Sequence, residues 1–254
     1  MDLKGKVAIV TGASSGIGQT TAISLAKLGC SVAVTGRNAD NLNKTKDACI
    51  AAGLKADQIR IVVGDITSED IRSAVIQAAL EINGKLDILV NNAGISKAGP
   101  ISATPVSALE EVMNINVTSV IALSKLAIPH LVATKGSMAG LRPSPMSSYY
   151  CISKAALDMF TKVLALELAP KGVRVNSVNP AAIETPIWYR SGRPKEEIEK
   201  LMQFLPLMHP IGRIGQPEEV TAAIIFLASN HSSFTTGNLM KIDGGAEYFF
   251  NRPS

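Results

Sequence analysis

The chain has 254 residues, of which 46% are hydrophobic and 18% are charged, and its formal net charge is +4. This composition excludes a disordered chain, and the dispersed basic residues argue against nucleic-acid binding. No stretch approaches the roughly 18 apolar residues of a membrane span, and residues 1–10 resemble a strand rather than a signal peptide. We therefore expect a soluble, cytoplasmic protein. Three Cys residues without a Cys-x-x-Cys pair and three His residues without ligand spacing predict free thiols and no metal site.

Short β-branched runs alternate with longer helical patterns along the whole chain, and this predicts an α/β fold with a doubly wound parallel sheet of about seven strands. The predicted strands lie near residues 6–11, 31–35, 59–63, 86–90, 173–178 and 238–242. The predicted helices lie near residues 17–28, 39–52, 68–82, 106–128, 150–168 and 217–228. A proline- and aromatic-rich segment at 185–212 predicts a flap on a single domain spanning residues 1–254.

A glycine-rich loop, TGASSGIG at residues 11–18, follows the first predicted strand and precedes the first helix. A buried strand that runs through a glycine turn into a helix N-terminus presents free N–H groups and the positive end of the helix dipole. This arrangement predicts a site for the pyrophosphate of a dinucleotide. We expect a tight turn at Gly12, close approach of the cofactor at Gly16, and packing of helix against strand at Gly18.

Tyr150 and Lys154 are four residues apart in a predicted helix, which places a phenol and an ammonium group on the same face. A nearby positive charge favours the phenolate and lowers the pKa of a tyrosine towards working pH. The pair is therefore a candidate for acid–base catalysis.

Several motifs together resemble the short-chain dehydrogenase/reductase family over nearly the whole chain. They are the loop at 11–18, Asn91-Asn92-Ala93-Gly94, Asn116, Ser137 with Gly140, Tyr150 with Lys154, Asn179-Pro180, and Gly237 with Asp243-Gly244-Gly245. The resemblance implies a Rossmann-like sheet and an NAD(P)(H)-dependent oxidoreductase. It also implies a small-molecule carbonyl or alcohol substrate and a homo-oligomer, either a tetramer or a dimer.

The resemblance also implies the roles of four residues. Tyr150 exchanges a proton with the substrate oxygen, and Lys154 lowers the pKa of Tyr150 and hydrogen-bonds the nicotinamide ribose. Ser137, thirteen residues before Tyr150, orients the carbonyl. Asn116 holds a water that links Lys154 to solvent; the alternative is an asparagine that caps or kinks a helix.

Arg37 follows the second strand, where NAD-selective relatives carry an acidic residue. A guanidinium can grip the 2′-phosphate of NADP(H), with no carboxylate at that position to repel it, so we favour NADP(H) over NAD(H). Against this choice, the glycine-rich loop lacks an additional Lys or Arg. The remaining cofactor contacts that the resemblance implies are Ser14, Ser15, Ile17, Asp65, Ile66, Asn92, Ala93, Gly94, Ile183 and Thr185.

The segment between Pro129 and Ser137 is shorter than in the family, so the fifth, central strand is missing from its usual place. Either residues 131–134 leave the helix at Pro129 and serve as a short strand, or the sheet has a gap and Ser137 is misplaced. Because a gap leaves buried backbone groups unpaired, we expect residues 131–135 to pair beside the 86–90 strand, with Ser137 near Tyr150. The alternative function is a cofactor-binding but catalytically impaired member of the family.

Overall fold

A computed structural model describes residues 1–141 and 148–248 of the chain. Over these ranges it contains a seven-stranded parallel sheet with the order β3-β2-β1-β4-β5-β6-β7. The strands are β1 (Val7–Thr11), β2 (Ser31–Gly36), β3 (Ile59–Val63), β4 (Ile88–Val90), β5 (Ser137–Leu141), β6 (Arg174–Pro180) and β7 (Leu239–Ile242). The strand order reverses between β1 and β4, and ligands bind beyond the carboxyl ends of the strands at such a switch point.

Helices cover both faces of the sheet, as a doubly wound fold requires. They are α1 (Gly16–Lys27), α2 (Ala39–Ala51), α3 (Glu69–Asn83), α4 (Val106–Met113), α5 (Ser119–Thr134), α6 (Ser148–Leu168), α7 (Lys195–Phe204) and α8 (Pro217–Ala228). One core cluster joins the sheet to α1, α2 and α8, and a second joins it to α3, α5 and α6. Ala8 and Val10 belong to the first cluster and Val7 and Ile9 to the second, because successive strand residues point to opposite faces.

The α/β class and the doubly wound parallel sheet are confirmed, and the six predicted strands and six predicted helices are present with small shifts at their ends. The predicted 106–128 helix is divided by a π-helical segment at Asn114–Thr118, so that α4 and α5 form one interrupted run. Two elements were not predicted. They are β5 at the centre of the sheet and α7 within the segment 185–212.

Among the described residues, the run Val106–Thr134 has the length and apolar character that could cross a bilayer. Its Leu123, Ala127 and Leu131 are buried in the core between the sheet and its neighbouring helices. An apolar helix that packs in this way on a parallel sheet is a core helix, and we interpret the run as one.

The expectation that residues 131–135 become the central strand is wrong. Residues 131–134 stay in α5, where Leu131 is fully buried and the Thr134 hydroxyl donates to Leu86 O at 2.7 Å. Lys135 then adopts a left-handed conformation with φ 52°, and Gly136 N donates back to Leu131 O at 2.9 Å, which ends the helix.

Pro129 lies inside α5 rather than at its end. A proline removes one helical hydrogen bond, the one that would reach the carbonyl four residues earlier at Lys125. Both Pro129 and Lys125 are exposed, so water can satisfy that carbonyl and the helix continues. This explains why the proline does not release the following residues.

The central position of the sheet is nevertheless filled, as the cost of unpaired backbone groups requires. β5 pairs with β4 through Ile88↔Ser137, Leu89↔Met138 and Val90↔Ala139. It pairs with β6 from Ser137↔Arg174 to Leu141↔Val178. The strand therefore begins at Ser137 instead of ending near it. This register determines where the predicted catalytic serine lies in the sheet.

Candidate active site

A cavity of about 740 Å³ opens at the carboxyl ends of the strands, beside the point where the strand order reverses. The structure brings most of the predicted site residues to its wall. They are Gly12, Ser14, Ser15, Gly16, Ile17, Arg37, Asp65, Ile66, Asn92, Ala93, Gly94, Tyr150, Lys154, Ile183 and Thr185. Three predicted residues, Gly18, Asn116 and Ser137, do not line it.

The glycine-rich loop folds as its three glycines predict. Gly12 and Gly16 have positive φ angles of 65° and 56°, where a side chain would be strained. A Cβ on Gly12 would lie 2.9 Å from Ala93 Cα, and a Cβ on Gly18 would lie 2.4 Å from Gly12 O. Gly18 therefore packs helix against turn instead of facing the cavity, while Gly12 and Gly16 shape its wall.

The N-terminus of α1 faces this cavity without a side-chain cap. Its N-cap residue, Ser15, is extended and makes no side-chain capping hydrogen bond, and the first turn holds no acidic residue. The N–H groups of a helix N-terminus together with its dipole form a site for an anion. An anionic group in the cavity can take the place of the missing cap.

Arg37 lies at the end of β2 with its side chain 67% exposed, and its guanidinium is 3.9 Å from the Asp65 carboxylate. The Thr67 N–H and hydroxyl both donate to Asp65, and these bonds, with a smaller contribution from Arg37, hold the pKa of Asp65 below its usual value. Position 37 itself carries no carboxylate, but the fold brings the Asp65 carboxylate next to Arg37. The sequence separation between positions 37 and 65 hid the contact.

The cavity wall fits the dinucleotide that the glycine-rich loop implies. Thr35, like Arg37, lines the cavity, and its hydroxyl is buried and finds no hydrogen-bond partner in the part of the chain that the structure describes. A buried hydroxyl without a partner costs free energy. A ribose or phosphate oxygen of a bound cofactor can supply that partner, and the glycine turn leaves room for its backbone to approach.

Tyr150 and Lys154 lie side by side on α6, both almost fully buried, with Lys154 Nζ 5.2 Å from the centre of the Tyr150 ring. Burial raises the pKa of Tyr150 and lowers the pKa of Lys154 to about 8, because each ionised form loses its water. The expected lowering of the Tyr150 pKa by Lys154 is absent in this structure. Desolvation by burial is the main cause of the raised Tyr150 pKa, and the neighbouring Cys151 raises it further.

Asn116 lies behind the cavity wall in the π-helical segment and is fully buried. Its side-chain amide accepts from Ile95 N and donates to Ile95 O, both at 2.9 Å, and donates to Ser153 Oγ at 3.1 Å. The residue thus ties the loop after β4 to α6, the helix that carries Tyr150 and Lys154. It also occupies an interrupted helix, as the structural alternative expects, and a role for it with water stays a prediction.

Comparison with known proteins agrees with this geometry. A family model described as enoyl-(acyl carrier protein) reductase matches residues 12–247. A 3-oxoacyl-[acyl-carrier-protein] reductase from Thermotoga maritima is 33% identical over 252 residues, covering 96% of this chain and 99% of the relative. The chain belongs to the short-chain dehydrogenase/reductase family. This membership supports carbonyl–alcohol redox chemistry with a nicotinamide cofactor.

Other members of the short-chain dehydrogenase/reductase family differ in their substrates. A cyclohexanol dehydrogenase from Acinetobacter is 37% identical over 249 residues, covering 94% of each chain. A crystal structure of a family member of unknown function from Caenorhabditis elegans, with cofactor, has a TM-score of 0.92 at 35% identity and covers 98% of this chain and 97% of that one. The family is therefore established. The names of its members refer to different alcohol or carbonyl substrates.

Ser137 does not lie where the family resemblance placed it. It is the first residue of β5. Val90, the last residue of β4, pairs with Ala139, so Ser137 lies two residues before the carboxyl end of β4. The Ser137 hydroxyl donates to Leu227 O on α8 at 3.2 Å. Met138 packs on the α5 and α6 face, so Ser137 points to the opposite face of the sheet from the helix that carries Tyr150. The expectation that Ser137 lies beside Tyr150 is wrong, because the shortened segment uses these residues as the strand itself.

Replacing Ser137 with alanine is consequently expected to leave kcat within about twofold of the parent, whereas the free energy of unfolding should fall by about 1 kcal/mol with the loss of a buried hydrogen bond. Steady-state kinetics and thermal denaturation check both parts. A loss of kcat by a hundredfold or more in a variant that keeps its fold would show that Ser137 takes part in catalysis.

The cavity also contains polar residues that sequence reasoning missed. Lys97 pairs with Glu111 at 2.9 Å, and the Arg190 guanidinium donates to Ser15 Oγ at 3.2 Å. Thr35 and Arg193 line the wall as well. Thr35 could have been noticed because it comes just before Gly36 and Arg37. No spacing in the sequence connects Arg190 to Ser15, and only the folded flap brings them together.

Proposed function

We propose that this protein is an NADP(H)-dependent oxidoreductase that interconverts a carbonyl and a secondary alcohol, with Tyr150 as the acid/base. The observation that carries the proposal is that Tyr150 and Lys154 meet the glycine-rich loop around one cavity. In this proposal residues 1–254 form one cofactor-binding domain, with a substrate flap at 185–212, and the protein acts in the cytoplasm.

In this proposal, Tyr150 handles the proton and the cofactor handles the hydride. A bound nicotinamide cofactor would supply a hydride for the carbonyl carbon, or accept one from the alcohol carbon. The Tyr150 hydroxyl donates a proton to the carbonyl oxygen or accepts one from the alcohol. The phenol is protonated at neutral pH and so has a proton to donate during reduction, while burial, which raises its pKa, makes it a weaker acid.

Lys154 is the residue next to Tyr150 that can hold a ribose hydroxyl and supply positive charge to the site. With its pKa lowered to about 8, the ammonium group loses a proton more easily than an exposed lysine does. Asn116 fixes the loop of Gly94 and Ile95 against α6, which keeps this part of the wall in place. The α1 N-terminus would hold the pyrophosphate, and Ile183 and Thr185 would contact the carboxamide.

The preference for NADP(H) over NAD(H) rests on Arg37, whose exposed guanidinium can pair with a 2′-phosphate. Arg37→Asp removes that contact and adds a second carboxylate beside Asp65, so NADPH affinity should fall by at least about tenfold. NADH affinity should change little or improve. Titration of each cofactor by fluorescence checks this, and equal losses for both cofactors would assign Arg37 a structural role.

The substrate is a small carbonyl compound or alcohol, and the relatives guide the choice of test compounds. The panel contains a 3-oxoacyl thioester, a cyclohexanone and a 3-oxosteroid, because relatives are named as a 3-oxoacyl-[acyl-carrier-protein] reductase, a cyclohexanol dehydrogenase and a 3beta-hydroxysteroid dehydrogenase. Purified protein is incubated with NADPH and each compound, and the loss of reduced nicotinamide absorbance is followed. Reduction of at least one carbonyl is the expected result.

A homo-oligomer, either a dimer or a tetramer, is part of the proposal. The outer surfaces of α5 and α6 expose large apolar side chains, among them Ile121, Met159 and Val163, and Leu166 is 80% exposed. Apolar surface of this kind on neighbouring helices favours burial against another copy. Light scattering should give a molar mass of two or four times 26.7 kDa. The mass of a single chain would contradict the proposed homo-oligomer.

A second candidate function is a family member that binds the cofactor but does not turn over. It is favoured by one observation: Ser137 does not line the cavity, and its hydroxyl bonds to Leu227 O instead. The site then lacks the hydroxyl that was expected to orient the carbonyl. In that case NADPH should raise the melting temperature while every carbonyl in the panel stays unreduced. Efficient reduction of a single compound eliminates this candidate.

A further inference from the structure

The segment after β6 crosses the glycine-rich loop and touches it at two neighbouring positions. A Cβ built on Gly16 would lie 3.2 Å from Thr185 Cγ2, so the Thr185 side chain covers that glycine. One residue earlier in the loop, Ser15 Oγ accepts a hydrogen bond from Arg190 Nη1 at 3.2 Å. The flap therefore brings a guanidinium to the N-terminus of α1 from 175 residues away in the chain.

The short helix that carries Arg190 is held firmly on both sides. Trp188 Nε1 donates to Ile183 O at 2.7 Å, and Ser191 Oγ donates to Trp188 O at 2.7 Å. Ser191 O in turn accepts from Ala98 N at 3.3 Å, in the loop that follows β4. Arg190 is thus presented to the cavity by a fixed turn.

Arg190 supplies positive charge that the glycine-rich loop itself does not carry. Residues 11–18 contain no Lys or Arg, and a helix N-terminus supplies only about half an elementary charge. A diphosphate carries more negative charge than that. Arg37 is paired with Asp65 at the far end of β2, whereas the contact of Arg190 is with a neutral hydroxyl. A guanidinium has five N–H donors, so the bond to Ser15 leaves others for phosphate oxygens.

We propose that Arg190 is a cofactor-binding residue that contacts the diphosphate of the dinucleotide, opposite the α1 N-terminus. This inference rests on the proposed function, since it concerns the same cofactor. It assigns the two arginines separate tasks. Arg37 selects the 2′-phosphate, whereas Arg190 binds the part that NADPH, NADH and ADP share.

The test compares binding of four ligands, measured by calorimetry or ligand competition. Arg190→Gln should weaken ADP, NADH and NADPH alike by about tenfold or more, and should leave 2′-AMP, which has no diphosphate, within about twofold. Arg37→Gln should give the opposite pattern, with a loss for NADPH and 2′-AMP alone. Arg190→Lys, which keeps the charge, should recover part of the lost ADP affinity.

Lys195→Gln is the matched control, because it also removes one positive charge from the flap. Lys195 is 80% exposed, pairs with Glu199, and does not line the cavity. This variant should bind all four ligands as the parent does. The dependence of ADP affinity on salt should become weaker in Arg190→Gln and stay unchanged in Lys195→Gln, because only the former removes an ionic contact with the ligand.

A purely structural role would give a different result. If Arg190 acts only by holding Ser15, then Ser15→Ala and Arg190→Gln lower ADP affinity equally, and the double variant is no worse than either. That result, or unchanged ADP binding in Arg190→Gln, would overturn the inference. Failure of the unaltered protein to bind any dinucleotide would instead refute the proposed function itself, so the two failures are distinguishable.

Discussion

Replacing Tyr150 with phenylalanine is expected to lower kcat by about 10²- to 10⁴-fold, because the variant loses the group that exchanges a proton with the substrate oxygen. NADPH binding should stay close to that of the parent. The phenyl ring remains in place beside Lys154, whose ammonium group lies over it, and both residues are almost fully buried. Steady-state kinetics give the loss in kcat, and fluorescence titration gives the affinity.

Tyr149→Phe is the matched control, because it removes the same atom from the adjacent residue. The Tyr149 hydroxyl donates to Thr104 O at 2.8 Å and does not reach the cavity. This variant should keep kcat within a few-fold of the parent, with a modest loss of stability. Equal activity of Tyr150→Phe and the parent would show that the acid has been assigned wrongly.

Lys154→Met is expected to lower kcat/KM by at least about a hundredfold and, at the same time, to make the protein more stable. The stability gain arises because Lys154 is 5% exposed and burial lowers its pKa from 10.5 to about 8. Below pH 8 the folded protein holds a buried ammonium, and a methionine of similar length avoids that cost. We expect the free energy of unfolding at pH 7 to rise by about 1–3 kcal/mol.

The pH dependence gives the sign of this effect. Between pH 8 and 10.5 the unfolded chain keeps the Lys154 proton that the folded protein has lost, so this group makes stability rise with pH. The free-energy difference between Lys154→Met and the parent should therefore shrink as the pH increases from 7 to about 9.5. Denaturant unfolding without added cofactor measures it. A constant difference, or a variant less stable than the parent at pH 7, would contradict the assigned burial.

Local sequence was sufficient for most of the sheet. β1 is a run of buried, mainly β-branched residues, β2 and β6 are largely buried and each contain at least two valines, and the position of these runs next to turn signals predicts them directly. The glycine-rich loop was equally predictable, since the positive φ of Gly12 and Gly16 is a property that glycine alone supplies easily. The sequence therefore predicted correctly which loop forms the cofactor side of the cavity.

β5 could not be assigned in the same way. Ser137, Met138, Ala139 and Gly140 have no strong strand preference, whereas Leu131 to Ala133 look like a strand. The tertiary fold decides differently, because Leu131 fills the core beside α3 and the turn at Lys135 and Gly136 directs the next residues between β4 and β6. Motif spacing therefore put Ser137 at the right distance from Tyr150 in the chain but on the wrong face of the sheet.

Contacts between distant segments were beyond sequence reasoning as well. The proximity of Asp65 to Arg37 depends on β2 and β3 being neighbours in register, and that of Arg190 to Ser15 depends on the path of the flap. The spacing of Tyr150 and Lys154 was predictable because one helix sets it. The directions of their pKa shifts were not predictable, since burial by the surrounding fold is the largest cause of both shifts.

Transfer of deuterium from labelled cofactor to product tests the central claim most directly. NADPH deuterated at C4 of the nicotinamide ring, with each stereochemistry in turn, is incubated with the protein and the carbonyl compound that reacts best. The product alcohol is then examined by mass spectrometry. The proposed function predicts one deuterium on the former carbonyl carbon with one of the two labelled cofactors and none with the other. NADPH that binds but transfers no label to any carbonyl in the panel would contradict it.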